Sequence, residues 1–228
     1  MNSKNCLLLS HIWILENQPY KKDIIDFCIN HFITNNPDLY IILTGHGELP
    51  HDKTIDLCDF VDWKVEIDQS EIGRGHPKLV TSGLIHAKKI GFTKVLKQRA
   101  DCIITTNNVH NYYDSLLEDK KFLVTTHPTT PTVIGDLLMY GDIDVFLNGW
   151  DISKWDPSVD GMINFTNTLT KHNDLKYTSI EKMKWVYLDP QWNEIIQNKN
   201  QVMKNDIDFS GWLWGLSYSA RAQSPTYK

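Results

Sequence analysis

The side chains best suited to chemistry in this chain sit in one stretch, residues 73–104, GRGHPKLVTSGLIHAKKIGFTKVLKQRADCII. It joins a polar loop, an amphipathic helix and a short apolar strand that ends on Arg99 and Asp101. A carboxylate at a strand end can hold Mg²⁺ or Mn²⁺ while the ion's other positions take diphosphate oxygens and water. A guanidinium can grip two phosphate oxygens at once. Asp101 is therefore the candidate metal ligand, and Arg74, Lys78, Lys97 and Arg99 are candidate cations for a diphosphate. Strand alternation puts Lys97, Arg99 and Asp101 on one face and Leu96 and Gln98 on the other, so the charges cluster on a ligand only where that face ends in a cleft. Plainer roles compete: Asp101 capping a turn or pairing with Arg99, and the cations lying on a solvated edge.

Ser10, His11 and Trp13 leave the first apolar run where a nucleotide base commonly lies in an open α/β sheet. An indole can stack on a base, and the serine and histidine can exchange hydrogen bonds with it. Core packing of Trp13 and a satisfied, half-buried His11 are the competing roles. Asp136 stands between Gly135 and the apolar LLMY, where a carboxylate either serves a site or meets a donor. It is the favoured general base for an acceptor hydroxyl, with Asp142, Asp144 and Asp151 as rivals and turn capping as the alternative for each.

These residues need elements to carry them. Residues 5–14 form an apolar run suited to a buried strand, and 21–32 follow with apolar residues at helical spacing. A break at Asn36-Pro37-Asp38 precedes a second strand at 39–44, so the opening is βαβ with parallel strands. Residues 59–67 suit another strand, and 78–90 a helix whose Leu79, Leu84, Ile85 and Ile90 share one face and whose C-cap is Gly91. A strand at 94–99, a helix at 107–117 and a strand at 121–126 continue the alternation. From Thr132 the pattern gives a strand, a turn at Gly141-Asp142 and a short helix ending near Gly149. The last third is less regular, with helices expected at 162–171 and 179–183 and a strand at 185–188.

The expected architecture is one α/β domain over 1–228, with a mixed, mainly parallel, Rossmann-related sheet flanked by helices and an irregular C-terminal third. Residues 1–130 form its nucleotide-binding half and 131–228 its acceptor-side half and tail. A net charge of −5 in 228 residues argues against a general nucleic-acid binder. Cys6, Cys28, Cys58 and Cys102 form no CxxC pair, which suits reduced thiols in the cytoplasm. The N-terminal run is interrupted at Ser10-His11, so neither a signal peptide nor a membrane span is expected. No GxxxxGK[ST], GxSxG or HExxH occurs, and the glycines of GRGH lack the dinucleotide-binding spacing. Trp212, Trp214 and Tyr218 make an aromatic tail that can dock on the domain, a partner, an acceptor sugar or a membrane surface.

Residues 76–104, followed by IGDLLMYGDIDVF at 134–146, resemble the two signature blocks of the GT-A glycosyltransferases related to the WavE proteins of lipopolysaccharide synthesis, a group that includes small viral enzymes. Gly83-Leu84, Lys97, Arg99, Asp101, Asp136 and Gly141 stand at the matching places. The resemblance implies a GT-A fold, a nucleotide-sugar donor, a glycan acceptor, Mn²⁺ or Mg²⁺, and Asp101 within the metal-binding acidic motif. That motif is usually Asp-x-Asp, and here Arg99 occupies its first acidic position. Two rivals remain: a sugar nucleotidyltransferase, which normally has a glycine-rich loop after its first strand where residues 10–15 hold no glycine, and an inactive sugar- or protein-binding module of the same fold.

Overall fold

The N-terminal apolar run becomes β1 (Asn5–Ser10), the third strand across a seven-stranded sheet in a computed structural model that describes residues 5–10, 20–45, 59–62, 75–100, 102–104, 106–125, 132–135, 138–179 and 181–187. The other strands are β2 (Tyr40–Gly45), β3 (Asp59–Asp62), β4 (Lys94–Arg99), β6 (Phe122–Val124), β7 (Leu138–Asp142) and β8 (Leu175–Tyr177). Their order is β3-β2-β1-β4-β7-β6-β8, with β3, β2, β1 and β4 mutually parallel. A separate two-stranded sheet pairs β5 (Cys102–Ile104) with β9 (Trp185–Tyr187) in antiparallel register. Ile41, Ile42, Leu43 and Thr44 are all buried, as expected of a parallel strand covered on both faces.

Among the described residues five helices cover the sheet: α1 (Tyr20–Asn35), α2 (Gly75–Lys89), α3 (Val109–Leu117), α4 (Ile143–Gly149) and α5 (Gly161–Leu169). One core layer joins Ile25, Ile29 and Phe32 of α1 with Val109, Tyr113 and Leu117 of α3, across Leu96 and Tyr140. The opposite layer joins Val80, Leu84 and Ala87 of α2 with Phe146 of α4 and Phe165 of α5, across Val95 and Met139. Even and odd residues of β4 thus serve opposite layers, as strand periodicity requires. Gly91 ends α2 at φ 95° with the Phe92 amide donating to the Ala87 carbonyl, the C-cap expected of it.

The sheet is mixed and mainly parallel, as expected, with β7 antiparallel to both β4 and β6. Several other expectations are corrected. Gly141-Asp142 is the end of β7 rather than a turn, and Asp142 passes straight into α4 as its N-cap. Ile85 and Ile90 are exposed; Leu79, Val80, Leu84 and Ala87 form the buried stripe of α2. The helix expected at 179–183 is a single 3-10 turn, Glu181–Met183, and β8 was not anticipated. Cys6, Cys28 and Cys102 are buried and in no disulfide, burial pushing the Cys6 thiol up to about 12, while Cys58 lies outside the described residues. Among the described residues no helix is long and apolar enough to cross a membrane.

A half-buried polar knot fastens α3 to the sheet. Asp114 accepts from Lys94 Nζ at 2.6 Å and from the Tyr140 hydroxyl at 2.9 Å, and the Tyr113 and Tyr140 rings lie 5.5 Å apart. One turn before Asp114 on α3, His110 has both ring nitrogens shielded and without a hydrogen-bond partner. Burial drives its pKa down to about 4; Asp114 opposes the shift and Lys94 adds to it.

Two outcomes follow for stability. The unfolded chain takes up the His110 proton near pH 6.5 and the folded one near 4, so the stabilisation is whole above 6.5 and is lost as pH falls through that window. Chemical denaturation across it should lose about 2–3 kcal/mol more in the native sequence than in His110→Phe, and equal slopes would refute the assignment. Gly141 sits at φ 153° opposite Phe122 and Val95, where an added Cβ would lie 2.3 Å from the Lys121 carbonyl oxygen. Gly141→Ala should therefore cost about 2–4 kcal/mol in urea melts by forcing β6 and β7 apart.

Candidate functional site

The four parallel strands end at one edge of the sheet. Gly45 pairs with Asp62, Thr44 with Ser10, and Ser10 with Arg99, so a hydroxyl and a guanidinium-bearing residue lie on adjacent strands at this edge. From β1 the chain builds β2 and β3 to one side and β4 to the other, which makes the β1–β4 boundary the topological switch point. Switch points of this kind are where open α/β sheets bind ligands.

α2 follows β3 and leads to the far end of β4, so its first turn, containing the half-buried Lys78, lies at the same edge. The exposed amides of a helix N-terminus favour anions there. Ser10, Lys78 and Arg99 are thus brought to one edge by three different elements, as their types suggested. All this suits an oxyanion such as a phosphate group.

Lys97 is a correction. It shares the α2 face with Arg99 but is fully buried, its Nζ 5.6 Å from the centre of the Trp150 ring, so it is part of the core beneath the edge. Trp150 in turn stacks on Phe165 at 4.3 Å, and its carbonyl accepts from Thr81 of α2 at 3.3 Å. The strand itself spans Lys94–Arg99, the bounds expected of it.

Asp101 lies outside the described residues, as do His11, Trp13, Arg74, Asp136 and the aromatic tail. Their described neighbours in the chain are informative. Asp101 falls between Ala100 and Cys102, immediately after β4. Asp136 falls two residues before Leu138, which pairs with Gln98.

The rival acids are engaged elsewhere. Asp142 caps α4, accepting from the Asp144 amide at 2.8 Å and the Val145 amide at 3.3 Å. Asp144 pairs with Lys88 at 2.5 Å. Asp151 accepts from the Ser153 hydroxyl and lies 2.9 Å from Lys154, and the Ser153 bond first, then Lys154, holds its carboxyl below the usual range. Turn capping and ion pairing account for all three.

Two features escaped sequence reasoning. Gln98 is fully buried and its Nε2 donates to the Cys102 carbonyl at 2.8 Å. The β5–β9 sheet sets Tyr187 opposite Cys102, next to Asp101 in the chain. Its only signal was a pair of apolar trios, CII and WVY, too short to specify partners. A cavity of about 310 Å³ lined by Asn36, Leu39, Asn108 and His110 lies at the opposite, amino-terminal edge of β2, away from these residues.

No family model matches the chain, and no curated protein matches its sequence. Solved structures do match its fold. A cytidylyltransferase from Leptospira borgpetersenii serovar Hardjo-bovis (strain JB197) aligns over 91% of this chain and 99% of its own, with 12% identity and a TM-score of 0.56. The glycosyltransferase GlyE of Streptococcus pneumoniae TIGR4 aligns over 91% of this chain and 53% of its own, with 12% identity and a TM-score of 0.52. A protein described as a nucleotide-diphospho-sugar transferase from Desulfovibrio desulfuricans G20 aligns over 90% of this chain and 100% of its own, with 10% identity and a TM-score of 0.51. The chain therefore has the mixed α/β, GT-A-like fold of nucleotide-sugar transferases, as its two sequence blocks implied.

Proposed function

We propose that this protein is a glycosyltransferase of the WavE-like kind, moving a sugar from a nucleotide-sugar donor to a hydroxyl of a glycan acceptor in the cytoplasm. The observation that carries the reading is the Ser10–Arg99 pairing at the switch point, beside the first turn of α2. The donor diphosphate lies in this crevice. Arg99, Arg74 and Lys78 offset its charge, and Ser10, His11 and Trp13 hold the nucleoside end.

The chemistry needs the bond between the sugar carbon and the diphosphate oxygen to break as a bond to the acceptor oxygen forms. Asp136 takes the acceptor's proton as that bond forms, and cations at the edge receive the charge that develops on the leaving diphosphate. Arg99 and Lys78 suit phosphate oxygens directly, and Asp101, two residues after Arg99 in the chain, is the carboxylate that would hold a divalent ion. Bound Mn²⁺ or Mg²⁺ would supply further neutralisation of the diphosphate. With Arg99 in the first acidic position, part of that neutralisation comes from a fixed guanidinium. The aromatic tail is the proposed acceptor-side or peripheral docking element.

A sugar nucleotidyltransferase is the second reading, favoured by the likeness along nearly the whole length of the Leptospira cytidylyltransferase. It would take a nucleoside triphosphate and a sugar phosphate instead.

Thermal melts against nucleoside diphosphates, nucleotide sugars and triphosphates, with and without Mn²⁺, separate the readings. A ligand at a hundred times its Kd should raise Tm by about 5 °C or more. A shift with one nucleotide sugar, followed by release of its diphosphate when acceptor glycans are added, supports the transferase. A shift only with a triphosphate and sugar phosphate supports the second reading, and binding without turnover supports an inactive module. Arg99→Ala should weaken nucleotide affinity by about tenfold or more while the unliganded Tm stays within about 2 °C. Asp101→Ala should remove the Mn²⁺-dependent part of the shift, and an unchanged Mn²⁺ response would exclude Asp101 as the ligand.

A further inference from the structure

At the edge of the sheet opposite Ser10 and Arg99, the end of α1 meets the start of α3 just before β2, and the cavity of about 310 Å³ opens there. Its volume stands at the small end of the range for ligand pockets. Asn36, 8% exposed, is the most buried polar residue that lines it. Three of its four polar groups are committed. The backbone amide donates to the Phe32 carbonyl at 2.8 Å, the backbone carbonyl accepts from the Leu39 amide at 3.0 Å, and the side-chain oxygen accepts from the buried Val109 amide at 3.1 Å. The Val109 N–H needs an acceptor, so it assigns Oδ1, and the planar amide then fixes where Nδ2 lies. Nδ2 has no hydrogen-bond partner among the described residues. A donor held in place and left unbonded in a nearly buried residue is one that a ligand oxygen would satisfy.

The rest of the lining decides what kind of oxygen that is. Asn108, the N-cap of α3, makes no capping bond with its side chain, and the His110 amide lies in the first turn, where no earlier carbonyl of the helix can accept from it. The His110 ring nitrogens are shielded and stand outside this set. Asp38 adds an exposed carboxylate, and the half-buried Leu39 and buried Val109 add apolar surface. None of the described lining residues is a lysine or arginine, and the carbonyl end of α1 meets the amide end of α3, so the partial charges of the two helices offset. An oxyanion would find no cation here and a carboxylate to repel it. A hydroxyl group donates and accepts, which suits amide donors beside a carboxylate, and a sugar ring also presents C–H faces to apolar side chains.

We propose that this cavity is a second binding site that holds one uncharged sugar unit, with Asn36 Nδ2 donating to one hydroxyl and Asp38 accepting from another. The six residues of β2 separate it from the switch-point edge by about 20 Å, so it retains a saccharide and takes no part in transfer. The inference does not depend on the reading of that other edge as a donor site.

The test is a titration of the full chain, followed by nitrogen–proton correlation NMR, with methyl glycosides of glucose, galactose, mannose and N-acetylglucosamine, with short oligosaccharides of the same sugars, and with sodium phosphate. At least one sugar should give saturable shifts of the Asn36 side-chain amide and of the backbone amides of residues 107–110, with Ser10 and Arg99 unmoved. Saturation by a monosaccharide supports a free sugar as the ligand, and saturation by oligosaccharides alone supports a unit of a glycan chain. Asn36→Asp keeps an oxygen for the Val109 amide and removes the donor, so it should weaken binding by about tenfold or more while Tm stays within about 2 °C. Asp38→Ala, at an exposed position, should weaken binding by about threefold or more and decides the matter if Asn36→Asp does not fold. Arg99→Ala should leave sugar binding unchanged. No saturable shift at these residues with any sugar, unchanged affinity in both cavity variants, or shifts with phosphate alone would each overturn the proposal.

Discussion

Six residue pairs, Asn5 with Lys94 through Ser10 with Arg99, join β1 to β4 in parallel, and a slip of one residue along them would turn every side chain of β4 to the wrong layer. Val95 would leave the α2 layer and Leu96 the α1 layer, while Gln98 would lose its reach to the Cys102 carbonyl. The same register decides which residues end the two strands side by side. Core packing and the geometry of the candidate site are therefore consequences of one pairing, and neither can change without the other.

Polar groups inside the molecule follow from that frame. Lys97 lies over Trp150, Gln98 ties β4 to β5, and Lys94 and Tyr140 converge on Asp114 to fasten α3. Each sits on a strand that also carries apolar residues to both layers, so its polar atoms must find acceptors or aromatic faces within the core. One of them, the bond from Gln98 to the Cys102 carbonyl, joins the end of β4 to the small sheet beside it.

Solved structures at 10–12% identity carry this fold while being described as enzymes of different transferase reactions. A shared sheet supplies the crevice, and the chemistry resides in the side chains that line it. Arg99 in place of a first acid is the feature by which this edge departs from the family pattern it resembles. Under the proposed function, a permanent cation at that place would take over part of the charge neutralisation.

The alternation of apolar runs and helical periods in the first 130 residues was enough to specify parallel strands, an α/β class and the gathering of Ser10, Lys78 and Arg99 at one edge. Local pattern carries that much because strand direction in a βαβ unit leaves little choice. The direction of β7, the pairing of CII with WVY and the burial of Lys97 were not legible. Nor was Gln98, since alternation assigned it only a face and not the carbonyl it would meet. These features depend on partners distant in the chain: Lys97 on Trp150, β5 on β9, β7 on its place between β4 and β6. A residue's own type and spacing state what it can bond; only the folded chain decides which groups come within about 3 Å to be bonded.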